Sequence, residues 1–339
     1  MAPYIREANL QKDQQGLSDL ARSYLKDGAD DERFCWLYQK NPFGPARAWI
    51  ACEANGEPVG MAAVFPRLMY HRGAVATACV LGDFCVSQKY RSLGLALQLQ
   101  RACLATVKAG EFALAYDFPS TAMLSIYRHL GIQPTAKLVR LLKPLRVDDK
   151  VQRILPARAL SRPAAVVANF ALELKEPAPS NPPGVEFRME EGPCASEYSQ
   201  LADRIGSSLG MCTVRSAEYL NWRYGQHPNR KYEFLAARRG VELLAYCAFS
   251  TAEGIVTVAE LFGSMVEQAV PSLLQHLIAL LRARGVAAVS LPVLGDDPRR
   301  GWLRKMGFWA REAVPVIGFA PESADSGLQM FLMQGDRES

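Results

Sequence analysis

The run Val80-Leu-Gly-Asp-Phe-Cys-Val-Ser-Gln-Lys-Tyr-Arg-Ser-Leu-Gly-Leu-Ala96 holds the residues best spaced for chemistry. An apolar strand ends at Val86, a polar loop follows, and a helix is expected from about Leu95. Arg91, Gly94 and Ala96 fit the pattern Gln/Arg-x-x-Gly-x-Gly/Ala. The backbone amides of Arg91, Ser92, Leu93, Gly94, Leu95 and Ala96 would open that helix unpaired, where its dipole adds positive charge. Gly94 and Ala96 leave room for a pyrophosphate against the backbone, and Arg91 supplies a cation. The chemistry expected is anion binding.

Other matches are weaker. Arg282-Ala-Arg-Gly-Val-Ala287 satisfies the same pattern but closes a helix and leads into a strand, so the dipole there has the wrong sign. No Gly-x-Gly-x-x-Gly or lysine-bearing phosphate loop occurs, so dinucleotide and P-loop nucleotide binding have no support. Cys85 sits in an apolar strand with no neighbouring histidine and reads as a buried thiol rather than a nucleophile. His129 reads as a surface residue and His227 as a turn residue before Pro228. The eight cysteines form no C-x-x-C pair and do not cluster with the four histidines, so no structural zinc site is expected.

The elements that must position these residues follow from periodicity. A strand Pro3–Glu7 precedes helices near Gln11–Lys26 and Asp31–Gln39, then a hairpin Trp49–Phe65 turning at Asn55-Gly56. A long strand Ala74–Val86, helix Leu95–Ala109, strand Phe112–Tyr116, helix Thr121–Leu130 and strand Lys137–Leu145 complete the first half. The order βααβββαβαβ predicts an α/β fold with a mixed sheet.

That half has a counterpart. Trp36-Leu-Tyr-Gln-Lys-Asn-Pro42 recurs as Trp222-Arg-Tyr-Gly-Gln-His-Pro228, and the strands at Pro3, Trp49 and the segment Tyr127–Gly131 have partners at Val185, Phe234 and Leu303, all about 180 residues on. The two Trp-x-Tyr motifs read as packing rather than ligand contacts. A basic helical piece (Lys150–Arg162) and a proline-rich linker ending at Gly184 separate the halves. The expected domains are therefore residues 1–147, a connecting segment 148–184, and 185–339.

Composition sets the outer limits. Of 339 residues, 49% are hydrophobic and 22% charged, which excludes wholesale disorder. No run reaches the roughly 18 apolar residues of a membrane span, and the N-terminus lacks the apolar core of a secretory signal. A net charge of +5 is compatible with a small anionic ligand and is too weak and too evenly spread to argue for nucleic acid. A cytoplasmic location is the expectation.

The strand-loop-helix run, with Pro119-Ser-Thr-Ala-Met-Leu-Ser-Ile-Tyr127-Arg-His-Leu-Gly131 about 30 residues later, resembles the GNAT superfamily of acyl-CoA-dependent N-acyltransferases. The resemblance implies two tandem GNAT-like domains, each a mixed, mostly antiparallel central sheet flanked by helices. It implies acetyl-CoA or another acyl-CoA as co-substrate, with its pyrophosphate on the amides of Arg91 to Ala96 and Ser120 nearby. The pantetheine arm would pair with the strand edge Phe84-Cys85-Val86, and an amide near Phe84 or Cys85 would bind the acyl oxygen. Tyr127 stands where the family's general acid often stands, and Asp83 or a water would serve as base for the attacking amine. In the second half Glu260 corresponds to Asp83 and Leu303 to Tyr127, while Glu267 would repel phosphate, so no acyl-CoA site is expected there. The activity implied is transfer of a short acyl group to a primary amine of a small molecule, an amino sugar being one acceptor. A protein amine substrate and a non-catalytic acyl-CoA-binding module are the alternatives.

Overall fold

The structure, a computed structural model, describes residues 3–25, 30–148, 151–152, 158–174, 176, 178–264, 268–320 and 329–338. The chain forms two compact units that interleave in sequence. The first contains Met1–Leu138, Cys194–Arg230 and Val314–Ser339, and the second contains Val139–Pro193 and Lys231–Ala313. These units do not follow the sequential division 1–147 and 185–339, because residues 194–230, which carry the second Trp-x-Tyr motif, pack within the first unit.

In the first unit, strands β1 (Tyr4–Glu7), β2 (Arg47–Cys52), β3 (Pro58–His71) and β4 (Ala74–Val86) pair in that order, all antiparallel. Strand β5 (Leu114–Asp117) then adds in parallel, and Ile317–Phe319 lies antiparallel on its far side. The parallel step exists because helix α3 (Leu93–Lys108) makes the crossover. Leu95, Leu99, Cys103 and Val107 recur every four residues and bury one stripe of α3 against Val64, Leu81 and Ala115 of the sheet. Helix α1 (Gln14–Tyr24) covers the other face through Leu17, Leu20 and Ala21. Helix α2 (Asp31–Phe34) widens into a π-helical turn over Cys35–Gln39, and α4 is Thr121–His129. The predicted elements of this half are present, with ends shifted by a few residues.

The second unit repeats the strand order: Glu186–Glu190, Glu233–Arg239, Glu242–Ala252 and Ile255–Gly263 are antiparallel neighbours, and Ala288–Leu294 adds in parallel. The crossover helix Ala269–Ala283 buries Leu273, Leu274, Leu277, Ile278 and Leu281. The basic piece expected over Lys150–Arg162 lies largely outside the described residues; the helix that follows is Arg158–Leu174. Each unit is thus a mixed, mostly antiparallel sheet flanked by helices. No described helix is long and apolar enough to cross a membrane.

Candidate active site

The loop after β4 forms a short 3-10 turn, Gln88–Tyr90, and then Ser92 caps α3. The Leu95 amide donates to Ser92 Oγ at 3.3 Å and the Ala96 amide to the Ser92 carbonyl at 3.2 Å. The Arg91 amide donates to the Gln88 carbonyl at 3.4 Å. Three of the six amides expected to be open are therefore engaged. Ser92, Leu93 and Gly94 have no amide partner among the described residues, and a Cβ added at Gly94 would meet nothing within 4 Å. The segment expected to bind an anion is an exposed, three-amide helix start beside the Arg91 side chain.

Upstream, β4 carries a bulge. Its register with β3 steps between Met61 and Ala63, so Asp83 and Phe84 together oppose one residue, and Asp83 takes a left-handed φ of 44°. The β4–β5 ladder ends at Val80 and Tyr116, after which the two strands part. The Ser87 amide points to the Val59 carbonyl of β3 at 2.8 Å. Strand alternation then turns the Cys85 amide toward β3 as well, and the Phe84 and Val86 amides toward the open edge. Of the two expected oxyanion donors, Phe84 fits and Cys85 does not.

Asp83 is committed elsewhere. Its carboxylate accepts two bonds from Arg33, at 2.7 and 2.8 Å, and one from the Tyr38 hydroxyl at 2.9 Å, all buried. Burial, then the adjacent Asp83 charge, pushes the Tyr38 phenol well above its ordinary pKa. Bonds from a bidentate guanidinium and a buried phenol fill three of this carboxylate's acceptor positions and tie it to the core. The geometry makes Asp83 a strut for the bulge rather than the base expected from sequence. Cys85 is buried, and burial followed by the Asp83 charge pushes its thiol up to about 12, which keeps it unreactive.

A cleft of about 380 Å³ opens where the strands part, lined by Asp83, Phe84, Asp117, Ser120, Tyr127 and Glu338 among others. Ser120 caps α4, accepting from the Met123 amide at 3.3 Å. Tyr127 is buried on α4, and its hydroxyl donates to Asp117 Oδ2 at 2.7 Å. Burial, then Asp117, raises its pKa well above 10. Asp117 closes β5, with Oδ1 accepting from the Phe118 amide at 2.6 Å. Burial, then the nearby Glu338, pushes this carboxyl far above the usual carboxylate range.

Sequence reasoning missed Asp117 and Glu338. An acid ending an apolar strand ten residues before Tyr127 was the available signal for Asp117. Nothing marked Glu338, which the folded tail delivers. Arg223 Nε donates to the Gly335 carbonyl at 2.8 Å, the Tyr116 hydroxyl to the Asp336 carbonyl at 3.0 Å, and Arg215 pairs with Asp336 at 2.9 Å. The Glu338 side chain then lies over Gly82, where an added Cβ would come within 2.5 Å of its Cγ. Glu338 Oε2 is shielded from solvent and has no partner among the described residues. Burial raises the pKa of this carboxyl too.

A larger cleft, about 620 Å³, lies in the second unit between helices 158–174 and 269–283. Its Arg282 and Glu176 pair with each other at 2.9 Å, whereas the smaller cleft holds the buried Tyr127–Asp117 bond and the Glu338 carboxyl, so chemistry is assigned to the smaller cleft. In the second unit Leu303 and Glu260, which the sequence repeat matches to Tyr127 and Asp83, are both buried, while Glu267 lies outside the described residues. Among the described residues no group of three acids, histidines or cysteines is placed to hold a metal ion.

Residues 5–135 match the acetyltransferase (GNAT) domain family. No curated protein matches the sequence. Among solved structures, the chain is similar to a probable N-acyltransferase from Enterococcus faecalis, with a TM-score of 0.66 and 12% identity over 94% of this chain and 72% of that one. A GCN5-related N-acetyltransferase from Anabaena variabilis gives 0.67 and 12% over 93% and 72%. Saccharomyces cerevisiae N-myristoyltransferase, solved with bound myristoyl-CoA, gives 0.60 and 12% over 93% and 82%. At such identities the likeness is one of fold.

Proposed function

We propose that the protein, whose residues 5–135 match the GNAT acetyltransferase domain family, transfers an acetyl or other short acyl group from acyl-CoA to a primary amine of a small molecule by direct attack. The observation that carries this reading is the parting of β4 and β5 beside Tyr127, with a helix start that leaves three amides open one loop away. The pyrophosphate binds Ser92, Leu93 and Gly94 through their amides, with Arg91 adjacent. The pantetheine arm lies along the open β4 edge, and the acyl oxygen accepts from the Phe84 amide.

Glu338 takes the base role that sequence gave to Asp83 or water, because its Oε2 is free and its proton affinity is raised by burial. The amine gives a proton to Glu338 and attacks the carbonyl carbon; the C–S bond breaks, and Tyr127 protonates the departing thiolate. The second half is read as a duplicated copy that has lost this function, since Leu303 offers no proton where Tyr127 does.

The test is thiol release from acetyl-CoA, followed colorimetrically, with glucosamine, spermidine and a lysine-containing peptide as acceptors. Release with glucosamine or spermidine supports the proposal. Release with the peptide alone favours a protein substrate, and acetyl-CoA binding without release leaves a binding module.

A further inference from the structure

Tyr127 does not face the cleft alone. Its hydroxyl is buried, with Asp117 Oδ2 at 2.7 Å and the Gln100 side-chain oxygen at 3.5 Å, so no solvent reaches it from behind. A phenol that has given its proton to a thiolate must regain one, and in this enclosure Asp117 is the acid in contact with it. Asp117 is itself fixed, since Oδ1 is held by the Phe118 amide. Glu338, from the tail, lines the same cleft.

We propose that Asp117 is a positioning residue for the acid step, aiming the Tyr127 hydroxyl and returning a proton to it once the phenol has protonated the departing CoA thiolate. The inference rests on the transferase reading above. The balance closes within the cleft: a C–N bond forms and the C–S bond breaks. Sulfur gains hydrogen from Tyr127, Tyr127 regains it from Asp117, and Asp117 is refilled by the proton that the amine gave to Glu338. One proton travels from nitrogen to sulfur, and no further reactant is needed.

The surroundings suit a carboxyl that keeps its proton, and across the same 2.7 Å a protonated Asp117 Oδ2 donates to the Tyr127 oxygen, which frees the phenol O–H for the thiolate. Burial and the Glu338 charge favour the neutral acid, whereas the Tyr127 bond, the Phe118 amide and Arg337 oppose it. Cys103, on α3, also faces Asp117, and burial holds that thiol neutral. Because Asp117 and Glu338 are two acids in one cleft, they release their protons in linked steps.

The experiment compares the parent with Asp117→Asn, Asp117→Glu, Tyr127→Phe and the Asp117→Asn/Tyr127→Phe double variant, using acetyl-CoA and whichever of the three amines supports thiol release. Asp117→Asn should lower kcat by roughly 10- to 100-fold, leave acetyl-CoA affinity unchanged and remove the alkaline decline of the kcat–pH profile. Asp117→Glu should restore part of that decline. In the Tyr127→Phe background Asp117→Asn should change kcat by less than about twofold, because the two act as one unit. An unchanged pH profile in Asp117→Asn, or an equal loss in both backgrounds, overturns the inference while leaving the transferase intact. Failure of every amine to release thiol overturns both. Should Asp117→Asn not fold, carboxyl-labelled parent protein gives the answer by carbon NMR. One aspartate must titrate well above the ordinary range and shift in Tyr127→Phe, and titration of every aspartate near pH 4 overturns the inference.

Discussion

The indole N–H of Trp36 donates to the Trp222 carbonyl at 2.8 Å, and the indole N–H of Trp222 donates back to the Trp36 carbonyl at 3.0 Å. The rings stack with centroids 4.9 Å apart, and each is buried. Both sit in π-helical turns, Cys35–Gln39 and Asn221–Gly225, that follow short helices. A π turn widens the helix, so it lets a carbonyl turn outward to meet the partner indole. The repeated Trp-x-Tyr motif is therefore a reciprocal clasp, made by two segments far apart in sequence.

Cutting one side of the clasp should be costly. Trp36→Phe removes the donor, leaves the buried Trp222 carbonyl unpaired and opens a small cavity, for a loss of about 2–3 kcal/mol. Trp222→Phe should lose a similar amount, and the double variant less than the sum. Urea midpoints at constant slope measure this. Losses under about 0.5 kcal/mol would show that the paired bonds contribute nothing net.

The Asp83 substitution separates a strut from a base. As a strut, Asp83 neutralises Arg33 in a pair whose side chains are 4% and 10% exposed. Asp83→Asn leaves that guanidinium buried without its paired counter-charge, which costs about 3–5 kcal/mol. The melting temperature should fall sharply, and acetyl-CoA affinity should weaken as the bulge presenting Phe84 slackens. A variant that melts like the parent and binds acetyl-CoA equally, yet has lost turnover, would restore the base role.

Gly94 gives a cleaner probe of the phosphate site because its surroundings are open. Gly94→Ala should fold and gain up to about 0.5–1 kcal/mol in helix propensity, since φ there is ordinary and a Cβ meets nothing. Gly94→Glu should also fold but lose acetyl-CoA binding, because a carboxylate then occupies the anion site. Titration calorimetry on both variants decides. Wild-type affinity in Gly94→Glu would remove the pyrophosphate from this loop.

Much of this was readable beforehand, and for identifiable reasons. Strand-turn-helix polarity distinguishes the segment at Arg91 from its false match at Arg282, because the helix dipole has a sign that sequence order reveals. The α3 stripe is a four-residue repeat and needs no tertiary knowledge. Asp83 misleads because strand alternation fixes its face but not its partner; Arg33 lies fifty residues away, and the left-handed bulge has no glycine to announce it. Glu338 was invisible because its position depends on buried bonds from Arg223, Arg215 and Tyr116, each distant in sequence. Residues 194–230 join the first unit through the tryptophan clasp, which a linear repeat cannot foretell.

His227 ties the clasp to acidity. Its ring lies 4.6 Å from that of Trp36, and Nδ1 accepts from the Asn229 amide at 3.2 Å. Burial, then the charges of Arg223, Arg230 and Arg33, lowers its pKa from 6.5 to about 3. The unfolded chain therefore binds more protons than the folded one throughout that interval, so stability rises with pH there. The contribution is complete above pH 6.5 and drains away as pH falls toward 3. His227→Gln keeps a polar side chain without the titration, so its melting temperature should decline less than the parent's between pH 7 and pH 4. Parallel curves for the two proteins would mean that the folded histidine titrates as freely as the unfolded one, and that the arginines around the clasp do not press on it.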